Sequence, residues 1–248
     1  MSWRTGFALI NQYTANNQWQ QAVETGKKYI KKYPSNYYIG LKYAKALCET
    51  GQYQPCISLL NKMQVLPNEG SYAGRAVYRA ANLYQAMEQL SRKNYRQVMR
   101  NVEASKEWPE NLGVGKPYDD MIDSRLEDYL EAKALTGQGD NQKAATLLSS
   151  VAGYKTSRSR FGSGNLLTAL ALREQGKEAE ADRMVASWET DFPENRITQW
   201  CAAVYRGEME KASGMLKSRN EQADTTPWET SFRDFNFDLI VRLFSTAD

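Results

Sequence analysis

The 248-residue sequence contains no histidine. Imidazole is the commonest general base in enzymes, and it completes the serine and cysteine nucleophile systems. Its absence excludes those catalytic arrangements, and it removes most zinc and non-haem iron sites. No other catalytic group of residues has a convincing spacing, so we expect no enzyme activity, no metal and no cofactor.

Cysteine is scarce, with Cys48, Cys56 and Cys201 as the only copies. The number is odd, and no two of them form a C-x-x-C pair of the kind that binds metals or cycles between redox states. We interpret all three as buried, reduced thiols that pack as small hydrophobic side chains.

Long apolar runs and a strong net charge are also missing. A membrane-spanning helix needs about 20 predominantly apolar residues, and no such stretch occurs, so we predict no membrane span. The first residues, Met1-Ser2-Trp3-Arg4, lack the apolar core of a signal peptide. We therefore expect a soluble protein, cytoplasmic by default, or periplasmic if the chain is a piece of a longer one. The net charge is +3, and Lys and Arg are interpreted as spread along the chain, so we expect no nucleic-acid partner.

A repeat is the strongest positive signal. Trp19 and Tyr53 are 34 residues apart, and so are Ala22 and Cys56. Around each pair, apolar residues recur at helical spacing in two segments separated by a short turn. Each unit then closes on a proline, Pro34 or Pro67, which cannot continue a helix. The pattern predicts repeated helical hairpins.

These residues resemble the tetratricopeptide repeat, which has a small residue in its first helix, then Gly, an aromatic residue, Ala and a final Pro at fixed places. Unit two matches with Ala44, Gly51, Tyr53, Cys56 and Pro67. Unit one matches less closely, with Ile10, Asn17, Trp19, Ala22 and Pro34. The resemblance implies an all-α, right-handed α-solenoid.

We predict a single solenoid over residues 1–248, with about six hairpins and a C-terminal capping helix that covers the last apolar face. The hairpins are expected at 3–36, 37–70, 71–111, 119–152, 162–194 and 195–218, and the capping helix at 227–245. The strict 34-residue period holds only between the first two units, because later units carry insertions around residues 112–120 and 153–164.

The loop from Pro109 to Tyr118 is the most distinctive irregular segment. Its Gly113-Val114-Gly115-Lys116 run is not a phosphate loop, because no strand precedes it and Pro117 stands where Ser or Thr would bind magnesium. We interpret it as a structured connection between repeats; the alternative is a loop that contacts a ligand. Residues 95–195 also resemble the C-terminal repeats of large Bacteroidetes proteins of unknown function, which are often encoded near glycan-utilisation genes.

If the repeat register holds, the first helix of each hairpin lines a groove for a partner. The predicted groove residues are Arg4, Phe7, Asn11, Tyr38, Leu41, Lys45, Met87, Tyr129, Lys133 and Arg173. The predicted loop contacts are Lys116, Tyr118, Arg158 and Arg160. Some tetratricopeptide domains hold a C-terminal carboxylate with Lys and Asn at set places, but only Asn11 matches that pattern here.

The sequence predicts a non-enzymatic scaffold that binds a protein or peptide. The alternative, which comes from the second resemblance, is a helical accessory module of a larger glycan-processing protein. In that case it would dock on a catalytic or sugar-binding domain of the same parent protein.

Overall fold

The computed structural model describes residues 2–67, 72–155, 161–220 and 234–245. Over those residues the chain is all-helical, with thirteen α-helices and no strand. The helices are α1 Trp3–Ala15, α2 Trp19–Lys32, α3 Tyr37–Glu49, α4 Tyr53–Lys62, α5 Ala73–Ser91, α6 Tyr95–Lys106, α7 Arg125–Gln138, α8 Asn141–Ala152, α9 Gly164–Glu174, α10 Glu178–Asp191, α11 Arg196–Tyr205, α12 Met209–Asn220 and α13 Phe237–Ser245. None of these helices is long and apolar enough to cross a membrane.

The first twelve helices form six consecutive pairs whose turns share one backbone geometry. In each turn one residue has a positive φ, between 55° and 85°. These residues are Asn17, Gly51, Lys93, Gly139, Gly176 and Gly207. The next amide donates to a carbonyl five residues earlier, as from Gln52 to Leu47 at 2.8 Å and from Asn94 to Gln89 at 2.9 Å. This bond satisfies a carbonyl that the end of the first helix leaves without an intrahelical partner.

The chain divides into two compact units. The first consists of Met1–Glu88 and Met99–Ile122, and the second of Gln89–Val98 and Asp123–Asp248. The prediction of one continuous domain stays a prediction.

In the first unit, α3 packs against α1, α2 and α4. Fully buried aliphatic side chains fill the space between these helices, among them Ile10, Ile39 and Leu60. Burying a side chain of this size contributes about 1.5–3 kcal/mol. The helices approach closely because small residues stand where they cross: a Cβ atom added at Gly6 would lie 2.3 Å from the ring of Tyr29.

The segment after α6 is tied back to the end of α4. The side-chain amide of Asn111 donates to the carbonyls of Leu60 and Met63, at 2.9 and 2.8 Å. The Asn111 carbonyl accepts from the amide of Val65 at 2.8 Å, and Leu112 is buried. The predicted structured connection is therefore present, with short 3-10 helices at Glu110–Leu112 and Asp119–Met121.

In the second unit, α9 packs against α7, α8, α10 and α11, and α11 packs against α12. Leu130, Leu166 and Trp200 are among its fully buried side chains. The arrangement resembles that of the first unit: α7 and α9, like α1, each contact their own partner helix and the first helix of the next pair.

The predicted capping helix is not continuous from residue 227 to residue 245. Residues 227–233 lie outside the described part of the chain, residues 234–236 are not helical, and α13 begins at Phe237. Asp234 is the physical reason for this start, because its carboxylate accepts hydrogen bonds from the amides of Asn236 at 2.9 Å and Ser163 at 2.6 Å. Such side-chain bonds compete with helix formation. Phe237 packs edge-on against Trp200, with ring centroids 5.2 Å apart.

Candidate functional site

The candidate site lies on α1 and α3 of the first unit. Trp3 and Phe7 are four residues apart on α1, and Tyr38 and Lys42 are four residues apart on α3, so each pair shares one helix face. The start of α3 is fixed by Asn36, whose side-chain oxygen accepts from the amide of Ile39 at 3.1 Å. Because α1 packs against α3, the two pairs meet.

Three rings form what we call the aromatic row: Trp3, Tyr38 and Phe7. Tyr38 stacks on Trp3 with centroids 5.9 Å apart and planes 13° apart. It meets Phe7 edge-on at 6.3 Å. Tyr37 stacks on Tyr38 from within the same helix, at 4.2 Å. The Tyr38 side chain is 47% exposed, a large fraction for a ring that packs against three others.

Each end of the aromatic row carries a cation. The Arg4 guanidinium lies 4.9 Å from the Trp3 ring centroid, and the Lys42 ammonium lies 5.7 Å from that of Phe7. Within the described residues, neither cation pairs with a carboxylate. Cations over aromatic rings are held by the ring quadrupole without neutralising their charge. The row therefore presents apolar surface between two uncompensated positive charges.

Net positive charge is concentrated around this site, because carboxylates are scarce there, while Lys and Arg are spread along the chain as interpreted from the sequence. Residues 2–67 contain eight Lys and Arg and only two carboxylates, Glu24 and Glu49. One of these, Glu49, pairs with Lys45. Since the segment has a net charge of +6 and the whole chain +3, the other residues sum to −3. The small total conceals a basic N-terminal region.

Three of the predicted groove residues, Arg4, Phe7 and Tyr38, belong to this site. Sequence reasoning missed Trp3 and Lys42, although the spacings 3/7 and 38/42 were available as a signal. The other candidates of the first two hairpins lie beside the row: Asn11 and Leu41 are half-buried, and Lys45 is exposed but paired with Glu49.

Met87 does not line an accessible groove. Its side chain is buried on α5 at 4% exposure, so this part of the predicted site is corrected. The helical spacing identified an apolar face, but the fold buries that face at Met87.

The predicted groove residues of the second unit are engaged with their own neighbours. The Tyr129 hydroxyl donates to Glu174 at 2.6 Å, and the Lys133 ammonium pairs with the same carboxylate at 2.7 Å. The Arg173 guanidinium donates to the backbone carbonyl of Tyr205 at 2.9 Å, and it lies 4.7 Å from the centroid of the Tyr205 ring. Tyr129 is buried, which corrects its assignment to an accessible surface.

These contacts change proton affinities in the second unit. Burial, with the nearby Glu174 carboxylate, raises the pKa of Tyr129 well above its usual value. Burial and the hydrogen bond donated to Asp182 raise the pKa of Tyr205 to about 12. Both phenols therefore stay protonated at neutral pH, and Glu174 keeps a hydrogen-bond donor and a cation at its two oxygens.

Of the predicted loop contacts, Lys116 pairs with Asp119 at 2.7 Å and Tyr118 is 82% exposed. Arg158 and Arg160 lie outside the described residues. The acidic residues after this loop have local roles: Asp123 accepts from the backbone amide and the guanidinium of Arg125.

The cysteines are buried and unpaired, as predicted. A hydrogen bond with Cys48 and burial raise the pKa of the Cys56 thiol, and burial raises that of Cys201. High thiol pKa values disfavour the reactive thiolate. In the described part of the chain, no cluster of three or more Cys, Asp or Glu side chains could hold a metal ion.

Comparison with protein-family models finds no match to this chain, and comparison with curated proteins finds none either.

Proposed function

We propose that the chain is a non-enzymatic interaction module that binds an extended peptide on the aromatic row. The observation that carries the proposal is the exposed Tyr38 ring, held between Trp3 and Phe7, with a cation at each end of the row that pairs with no carboxylate among the described residues. Aromatic and Arg side chains are enriched where proteins bind one another. Rigid rings also provide contact area at little cost in conformational entropy.

We further propose that the six hairpins are consecutive repeats of the tetratricopeptide type. Support comes from the common turn geometry, in which Asn17 and Lys93 adopt the same conformation as the four glycines. It also comes from contacts between the first helices of successive pairs, which are shown for α1 with α3, α7 with α9 and α9 with α11. The right-handed solenoid stays a prediction.

The contrast between the two units supports a binding site in the first unit. In the second unit, Glu174 neutralises Lys133 and accepts from Tyr129, so that surface has few unsatisfied groups to offer. Among the described residues of the first unit, no carboxylate pairs with the cations of the row in this way. We therefore assign binding to residues 3–42 rather than to a groove along the whole chain.

A peptide-display selection tests this assignment. A random peptide library would be selected on the unaltered protein, and the enriched peptides would be measured against Tyr38→Ala and Tyr118→Ala. Both variants remove an exposed tyrosine ring, but Tyr118 lies in the loop before α7. We expect Tyr38→Ala to weaken binding about tenfold or more and Tyr118→Ala to leave it within about twofold.

If Tyr118→Ala weakened binding and Tyr38→Ala did not, the binding site would lie at the loop before α7. A library that yields no binding peptide would contradict the proposal and favour the alternative, in which the helices dock on another folded domain.

A further inference from the structure

We infer that the partner of the aromatic row is an internal acidic peptide segment, with an apolar side chain between carboxylates. This inference rests on the proposed function and specifies the chemistry of the ligand. It starts from the order of groups along the surface: Arg4, Trp3, Tyr38, Phe7 and Lys42, each in contact with the next.

Neither end cation has an anionic partner among the described residues, so both are available to one. An arginine presents a planar fork of donors that suits a carboxylate, and a lysine acts as a compact point charge. Both are already positioned over rings, so less side-chain entropy is lost when a carboxylate binds. A ligand with negative charge at two places along its length matches this arrangement.

The region around the row strengthens the same preference. With eight cations against two carboxylates in residues 2–67, the surrounding field attracts anions and speeds their association. The lysines on α2 add to this field: Lys27, Lys28, Lys31 and Lys32 are all exposed. They raise the local positive potential but provide no aromatic surface.

The middle of the row favours a peptide over a nucleic acid. Single-stranded nucleic acids bind through bases that stack on free aromatic faces. Here the Tyr38 ring already stacks on both Trp3 and Tyr37, so a base that stacks on Tyr38 competes with contacts inside the protein. An apolar side chain of a peptide can pack against the exposed part of the ring without displacing them.

The site does not require the C-terminal carboxylate of a peptide. The site is a surface along two helices, with a cation at each end of the row, so the ligand can continue in both directions. An internal segment of a longer chain therefore fits, and the test uses peptides whose C-terminus is amidated.

Fluorescence anisotropy with two synthetic peptides tests the charge preference. One peptide carries a phenylalanine between pairs of aspartates, and the other carries asparagine at every aspartate position. Two double variants are compared with the unaltered protein: Arg4→Gln with Lys42→Gln, and Lys28→Gln with Lys31→Gln. Both remove two positive charges from residues 2–67, but only the first removes them from the row.

We expect the acidic peptide to bind the unaltered protein about tenfold more tightly than the asparagine peptide. The Arg4/Lys42 variant should lose about tenfold in affinity for the acidic peptide, while the Lys28/Lys31 variant should lose about twofold or less. A higher salt concentration should lower the affinity for the acidic peptide more than that for the asparagine peptide, since exposed ion pairs are screened.

Equal losses in the two double variants would overturn the inference, because they would indicate attraction by the general field. Equal affinity for the two peptides would do the same. Tighter binding of a single-stranded oligonucleotide or of anionic lipid vesicles, with the same dependence on Arg4 and Lys42, would assign the site to another class of partner.

The outcomes also separate this inference from the function beneath it. If a library-selected peptide binds at Tyr38 but the acidic peptide does not, the charge preference fails and the peptide-binding function stands. If the library yields no peptide that binds at Tyr38 and the acidic peptide does not bind either, the charge preference and the peptide-binding function both fail.

Discussion

The Tyr129 hydroxyl donates a hydrogen bond of 2.6 Å to the carboxylate of Glu174, 45 residues away in the chain. The same carboxylate pairs with Lys133. This contact closes one stretch of the predicted groove from within. In the first unit, the corresponding helices leave Tyr38 exposed, and there the candidate site remains accessible.

Tyr129→Phe should lower the free energy of unfolding by about 1–2 kcal/mol at neutral pH, because a buried hydrogen bond to a charged acceptor is lost. The pKa of Tyr129 is raised in the folded protein, so its contribution is complete below the unfolded value near 10 and declines as the pH rises above it. The difference in unfolding free energy between the unaltered protein and Tyr129→Phe should therefore shrink above about pH 10. Urea unfolding at several pH values measures this, with the exposed Tyr118→Phe as the control. A deficit that is the same at about pH 11 as at pH 7 would contradict the assigned contact.

Lys93→Gly should be stabilising or neutral, although glycine usually weakens a fold. Lys93 has a φ of 57°, a conformation that costs a non-glycine residue about 1–2 kcal/mol. Arg92→Gly is the matched control, because it removes the same charge from an adjacent exposed residue without a positive φ. It should lose about 0.5–1 kcal/mol through the greater entropy of the unfolded chain. Thermal unfolding of both variants should place Lys93→Gly about 1 kcal/mol above Arg92→Gly; the opposite order would argue against the common turn geometry.

Asn111→Ala should release the segment after α6 from α4 and cost about 1–3 kcal/mol, because the carbonyls of Leu60 and Met63 lose their donor. The amide of Val65, which donates to the Asn111 carbonyl, should exchange its hydrogen faster. Glu110→Ala, at the exposed neighbouring position, is the control and should leave both quantities nearly unchanged. Unaltered exchange at Val65 in Asn111→Ala would show that other contacts hold this connection.

Phe237→Ala should cost about 3–4 kcal/mol, because the side chain is 1% exposed and packs edge-on against Trp200. Phe235→Ala changes an equal volume at a position that is 52% exposed and should cost about 1 kcal/mol or less. Trp200 fluorescence should respond to the first substitution and not to the second. Similar losses in the two variants would indicate that α13 does not cover the end of the second unit as its contacts suggest.

The helical pairs were largely predictable from the sequence. Gly51 ends α3 in the left-handed conformation expected for it, and the apolar spacing located both helices of each hairpin to within a few residues. The positive φ of Lys93 was not predictable, since lysine carries no preference for that conformation. The start of α13 was missed because the hydrogen bond from the amide of Ser163 to Asp234 joins residues 71 apart.

The candidate site was predicted only in part. Arg4, Phe7 and Tyr38 could be assigned to one surface by register, and the charge imbalance of residues 2–67 was countable from the start. The stacking of Trp3 on Tyr38 was not available, because it depends on how closely α1 approaches α3.

The sequence by itself therefore determined the all-helical class, the hairpin unit and the residues that end its helices. It did so because helical periodicity, glycine and proline act through local geometry. Only the tertiary structure decided which apolar or polar face each helix leaves accessible. A helix with one apolar face can bury it or present it, as Met87 and Tyr38 show. The outcome depends on helices that are neighbours in space but distant in sequence. Glu174, which pairs with Lys133 and accepts from Tyr129, is an example, because it lies about 40 residues further along the chain.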